Sequence, residues 1–311
     1  MKIANTKHLL IMLGIIVSGM IWSCDSDDPY DKYGGSSANA NSNAWTGNAD
    51  AMRLEVPAWS KNRKGVRFLT HYANLTDENH TKILDYCMEF DSATTHSRWV
   101  AFHFNDSTKK TRSGRTDAWD VDYTLPASWR LPTNAYSGTG YTRGHLCASE
   151  DRQFSTEANQ LTFLMSNMSP QIYEFNGSYW AGFESKVRDW ANSYKALYVA
   201  KGGTILTNQR LRMLPTKNVN GKDVQVAVPK YYFMAILAET KSGSYQALAF
   251  WMEHKVYPGY TNKYPTGDVM KQHVISIDAL EELTGIDFFC NLNDALENAV
   301  EKSVNINAWK F

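Results

Sequence analysis

Cysteine is scarce in this sequence: four residues in 311, at positions 24, 87, 147 and 290. None stands at the spacing of a zinc-ligand pair, which excludes a zinc ribbon or finger. An excess of either charge is missing too. Lys plus Arg and Asp plus Glu number 32 each, so the chain as a whole carries no electrostatic signature of a nucleic-acid partner, and any basic surface must be local. Lys109, Lys110, Arg112 and Arg115 form one such patch, in a Ser/Thr/Gly-containing stretch that reads as an exposed loop and fits a solvated loop as well as a phosphate contact. Internal repeats are absent, which excludes solenoids and propellers. There is a single long apolar run, Leu9 to Trp22, and it is short for a membrane span.

What surrounds that run gives it a meaning. Lys2, Lys7 and His8 precede it and Ser23-Cys24 follows, the order of a signal peptide. Ile21-Trp22-Ser23-Cys24 resembles a bacterial lipobox, which implies that Cys24 becomes a lipid-bearing mature N-terminus. The expected location is therefore that of a bacterial lipoprotein, at the outer membrane or cell surface, with the periplasmic face an alternative. Asp25, Asp27 and Asp28 fit an export signal to the outer surface and equally an ordinary polar linker. With Cys24 lipidated, the other three cysteines permit at most one internal disulfide. Asp25 to Asp50 is rich in Ser, Asn, Gly, Ala and Asp and cannot bury enough apolar area to offset chain entropy. The expected organisation is a signal peptide over 1–23, a flexible tether over 24–51 and one domain over 52–311.

Over the whole chain, 43% apolar residues, ten Trp and seventeen Tyr point to a substantial core and a mixed or β-rich fold. Strands are predicted at Trp99 to Phe104, Leu161 to Met165, Ala196 to Lys201, Tyr231 to Ala238 and Tyr245 to Glu253. Ser-Asn-Met-Ser-Pro after Met165 should turn the chain. Trp180, Phe183, Val187 and Trp190 recur at intervals of three and four, which predicts a helix over Asn176 to Tyr194, with shorter helices at Ile277 to Leu283 and Asp294 to Val300. The result is an α+β domain with an antiparallel sheet.

On the long helix Asn176, Trp180, Glu184 and Arg188 lie four apart. That spacing drifts by only about 40° per step, so the four make one slowly winding stripe. Taken singly, Glu184 and Arg188 are a surface ion pair, His145 is a hydrogen-bonded structural histidine, and Trp180 is core. Taken together with Arg143-Gly144-His145, they are a candidate catalytic constellation.

The set resembles the DNA/RNA non-specific endonucleases of the ββα-metal class. Their signature of Asp-Arg-Gly-His, Ser/Thr-Asn-x-x-Pro-Gln and a helix bearing Asn, Trp and Glu is matched by Thr142-Arg143-Gly144-His145, Ser166-Asn167-Met168-Ser169-Pro170-Gln171, and Asn176, Trp180, Glu184 and Arg188. Trp99-Val100-Ala101-Phe102, Val228-Pro229-Lys230-Tyr231-Tyr232 and Thr284-Gly285-Ile286-Asp287-Phe288-Phe289 extend the likeness over most of residues 55 to 300. Thr142 departs from it, standing where the family usually has Asp. The resemblance implies a ββα-metal (His-Me finger) fold with a mostly antiparallel sheet flanked by helices, and hydrolysis of DNA and RNA phosphodiesters to 5′-phosphate products.

It also implies roles. His145 is the general base, and Asn176 the ligand of one Mg²⁺, with Mn²⁺ or Ca²⁺ as alternatives. Glu184 holds the ion's waters or orients the base. Arg143 and Arg188 clamp phosphate, with Arg98 a weaker third. Asn167 and Gln171 read first as structural, hydrogen-bonding the turn that aims the helix, and second as weaker substrate contacts, and Cys147 reads as a small buried hydrophobe. Competing readings are a catalytically silent nucleic-acid-binding relative, which Thr142 and the neutral charge would suit, and a glycan-binding surface module, which would leave the Arg-Gly-His and Asn-to-Arg spacing unexplained.

Overall fold

A computed structural model describes residues 44–302 and 304–311. The signal peptide, the lipid anchor at Cys24 and most of the tether lie outside the described residues. Chain packing begins earlier than composition suggests. Trp45 and Ala51 are buried, and the Trp45 ring meets Trp59 at 5.3 Å while its backbone N–H donates to Asn291, so residues 44–51 belong to the domain and not to the tether. One indole supplies enough apolar surface to dock an otherwise polar segment.

The strands are β1 (Val66–Asn74), β2 (Lys82–Asp91), β3 (His96–Phe104), β4 (Thr142–His145), β5 (Met168–Gln171), β6 (Ala196–Gly203), β7 (Arg210–Lys217), β8 (Asp223–Pro229), β9 (Tyr231–Glu239), β10 (Tyr245–Glu253) and β11 (Val274–Ile275). The helices are α1 (Thr156–Leu161), α2 (Ala181–Ser193), α3 (Gly267–Lys271), α4 (Ile277–Thr284) and α5 (Asp294–Glu301). Seven strands form one antiparallel sheet in the order β1-β2-β3-β6-β9-β10-β11. Two ribbons, β4-β5 and β7-β8, stand apart from it.

Both faces of the sheet are covered. Tyr232, Met234, Ile236 and Ala238 of β9 face the α2 layer, and the intervening Phe233, Ala235 and Leu237 face the layer of α4 and α5. Two-sided burial explains why these strands read as continuous apolar runs instead of alternating. The expected strand at Leu161 to Met165 is not one: Leu161 ends α1, Leu164 makes an isolated bridge to Asp120, and Met165–Asn167 is a 3-10 turn. The predicted long helix is present, but it opens with a π-helical turn, Phe175–Trp180, before α2 begins. That wider turn disrupts the four-residue stripe, and Trp180 faces the core with no exposed surface. The three described cysteines are free and buried. No helix among the described residues is long and apolar enough to cross a membrane.

Candidate active site

Ribbon β4-β5 and α2 make a ββα unit against the sheet. Gly144 is required where it stands, because a Cβ there would meet Gln171 Oε1 at 2.0 Å. The ribbon is fixed from behind: His96 Nε2 meets Ser169 Oγ at 2.7 Å, and His254 accepts from the Ile172 N–H at 2.8 Å while its Nδ1–H donates to Pro229 O. After His145 the chain is stapled by Asn167, whose amide oxygen accepts from Cys147 N and whose nitrogen donates to Cys147 O and Thr162 O.

Asn167 and Gln171 are thus wholly buried supports for the His145 strand, not surface contacts for a substrate. Arg98 is also not at the site. It is the extra residue of a bulge where β3 passes β2, and its guanidinium donates to Thr284 O and Gly285 O, capping the C-terminal carbonyls of α4.

The other expected residues do meet. His145, Arg143, Asn176, Glu184 and Arg188 line one cavity of about 250 Å³, together with Arg115, Trp119, Glu150 and Tyr264. The His145 ring lies 5.4 Å from Trp119 and 4.9 Å from Phe163. Its Nε2 is sealed among these rings without a partner, so Nδ1 is the nitrogen that reaches the cavity. Burial first, then the positive charges of Arg115, Lys201 and Arg143, push the imidazole pKa down to about 3. The ring is neutral at pH 7 and offers a lone pair.

Asn176 sits in the π-helical turn. Its Nδ2 donates to Thr142 Oγ1 at 3.1 Å, while that hydroxyl donates to Gln171 O at 3.0 Å. Among the described residues no donor takes the Asn176 Oδ1, and this hard oxygen fits a hydrated hard cation such as Mg²⁺.

Beneath the cavity lies a buried charge network that the sequence analysis does not contain. Lys201 of β6 is 1% exposed and donates to Glu184 Oε1 at 2.7 Å and to Asp151 Oδ2 at 3.4 Å. Arg188 donates to Asp151 at 2.9 Å and pairs with Glu150 at 2.5 Å. The expected direct Glu184–Arg188 pair is replaced by contacts through Asp151 and Lys201. Burial, then Asp151, raise the Glu184 pKa against the pull of Lys201. Arg143 lies 3.7 Å over the Trp119 ring and donates to Thr133 O, and Arg115 lies 4.8 Å over Phe163. Sequence reading places Arg115 only in a basic loop and does not single out Trp119, Asp151 or Lys201. Lys201 left one signal, a lysine inside an apolar strand.

A neutral histidine, a free amide oxygen and three arginines around one cavity is an arrangement suited to a phosphodiester. The family model for DNA/RNA non-specific endonucleases matches residues 67–295. The chain belongs to that family. Members and neighbours of this endonuclease include a nuclease of Nostoc sp. (strain PCC 7120), 31% identical over 74% of this chain and 81% of the relative. The mitochondrial nuclease EXOG of Xenopus laevis is 28% identical, and there the match covers 70% of this chain and 60% of the relative. The crystal structure of an EndoG/EndoGI complex shares the ββα-metal fold with a TM-score of 0.55 at 22% identity, over 68% of this chain and 86% of that one. Family and relatives make the endonuclease a nucleic-acid phosphodiester hydrolase.

Proposed function

We propose that this chain is a divalent-metal-dependent endonuclease that hydrolyses both DNA and RNA to 5′-phosphate products, with His145 as general base and one Mg²⁺ held by Asn176. The observation that carries the reading is the neutral, unpartnered His145 ring sharing a cavity with the free Oδ1 of Asn176. Bound there, the ion supplies charge neutralisation for the phosphate and the departing 3′ oxygen. His145 Nδ1 takes the proton of the attacking water. Arg143 and Arg115, braced by aromatic rings, and Arg188, braced by Asp151, hold the phosphate oxygens. Glu184, fixed by Lys201, keeps a carboxylate at the cavity wall to order water. All of these groups address phosphate and water, which need neither a particular base nor a 2′-hydroxyl. Lys109 and Lys110 flank an adjoining hollow that shares Glu150 and Arg188 with the cavity, and they extend the basic track for the strand.

The reading includes export as a lipoprotein anchored through Cys24, on the strength of the Ser23-Cys24 junction. The test of catalysis is digestion of supercoiled plasmid and of RNA by protein lacking residues 1–24, with Mg²⁺ and with chelator. Cleavage of both substrates that chelator abolishes is expected. Binding without cleavage under any divalent ion would establish the silent relative instead.

A further inference from the structure

On the sheet face away from the catalytic cavity, α4 and α5 bring carboxylates together with no described basic side chain between them. Asp278 and Glu281 lie three apart on α4, and Glu301 ends α5. One oxygen from each of the three falls within 4.8 Å of the others. None of the three pairs with a described basic residue.

Clustering alone would mean little, since acidic surfaces are common. Glu301, however, is only 6% exposed, and its Oε1 is shielded from water with no hydrogen-bond partner. A buried carboxylate oxygen left unsatisfied is costly and rare, and an ion is one of the few things that accounts for it. Asp287 and Glu297 add negative potential around the three carboxylates. The negative end of the α5 dipole adds to this, because Glu301 is its last residue. Glu281 is already half committed, accepting the Phe288 N–H through Oε1, which orients its carboxylate.

We propose that Asp278, Glu281 and Glu301 form a second divalent-cation site, separate from the catalytic one, whose ion is calcium and whose role is to clamp α4 to α5. All three donors are hard oxygens. Calcium takes about six to eight oxygens and accepts several carboxylates at once, whereas Mg²⁺ dehydrates reluctantly and is seldom held by a cage of protein ligands, so three carboxylates on two helices suit the larger ion.

The test is calorimetric titration of CaCl₂ into the full chain carrying Asn176→Ala, which removes the ligand assigned to the catalytic ion. One calcium per chain should still bind, and calcium at about 100-fold over its Kd should raise Tm by about 5 °C or more. Adding Glu281→Gln and Glu301→Gln should weaken binding at least tenfold and erase the calcium-dependent rise. Asp278→Asn, at a half-buried position, should also weaken binding tenfold and guards against misfolding of the double variant. Absence of calcium binding in the Asn176→Ala chain, or unchanged affinity in Asp278→Asn, would overturn the site.

Discussion

Under the proposed function, Asn176 gives its oxygen to a cation because Thr142 holds its nitrogen. The threonine that departs from the family's usual aspartate therefore keeps one function such a residue can have, orientation of the ligand amide, and gives up the negative charge. Thr142→Val should raise the Mg²⁺ requirement for cleavage about tenfold at unchanged Tm, and Thr142→Asp should lower it. Overlapping metal titrations for the three proteins would show that Thr142 does not orient Asn176. For His145 the sign of the pKa shift sets the pH profile. A base must be neutral, and a pKa depressed to about 3 keeps it neutral through the range where an ordinary histidine protonates. The rate should therefore show no inflection near pH 6.5 and should fall only at lower pH. His145→Ala should lose about 10²–10⁴ of the rate while still folding, and a variant keeping more than a tenth would refute the base assignment. At this scale the sequence is informative where a side chain's identity states its chemistry, as for His145 and Asn176. It misleads where burial decides, as for Arg98, whereas the structural role it offers Asn167 and Gln171 agrees with their burial; it is silent on Lys201, whose value comes from Glu184 and Asp151 at distant positions in the chain.

Elements were legible in proportion to how purely apolar they are. The runs at β3, β6, β9 and β10 and the periodic faces of α2, α4 and α5 stand out in the sequence, within a few residues of their observed ends. Strand β2 does not, because Asp85, Glu89 and Asp91 interrupt it. All three are buried and matched by cations, Asp85 by Arg152 at 2.7 Å with neither side chain exposed, and no local pattern announces such a partner. The π-helical turn is invisible for a related reason, since helical periodicity cannot register one wider turn. Two substitutions test how elements hold the site. Gly144→Ala drives a methyl into Gln171 across the ribbon, which should cost about 1–3 kcal/mol and most of the activity by displacing His145. Lys201→Met leaves Glu184 and Asp151 buried without their shared cation, and should cost about 3–5 kcal/mol in denaturant unfolding. If Lys201→Met were as stable as wild type, the network would not join β6 to α2.

For the whole molecule, one domain with its charges balanced is what composition predicts, and the structure adds where that domain starts. Composition misplaces the boundary because a window of Ser, Asn, Gly and Asp averages away the single Trp45. Cys24→Ser should move the protein from the membrane to the soluble fraction, since the segment that follows has no amphipathic stretch to replace a lipid; a variant that still pellets with membranes would refute the anchor. Two truncations then separate tether from domain. Removing residues 1–43 should leave Tm and cleavage rate unchanged if those residues only connect the domain to its anchor. Removing 1–51 takes away Trp45, which lies under Lys61 at 4.0 Å and against Trp59, and with it Ala51 and the bonds both make to Asn291. Loss of a buried Trp side chain costs about 3–5 kcal/mol, and here it also uncovers Trp59 and the loop carrying Cys290. The shorter protein should unfold at clearly lower denaturant with the catalytic cavity unaltered, so that its rate at low temperature matches that of the longer one. Equal unfolding midpoints for the two truncations would show that residues 44–51 add nothing to the domain and restore the boundary at Met52.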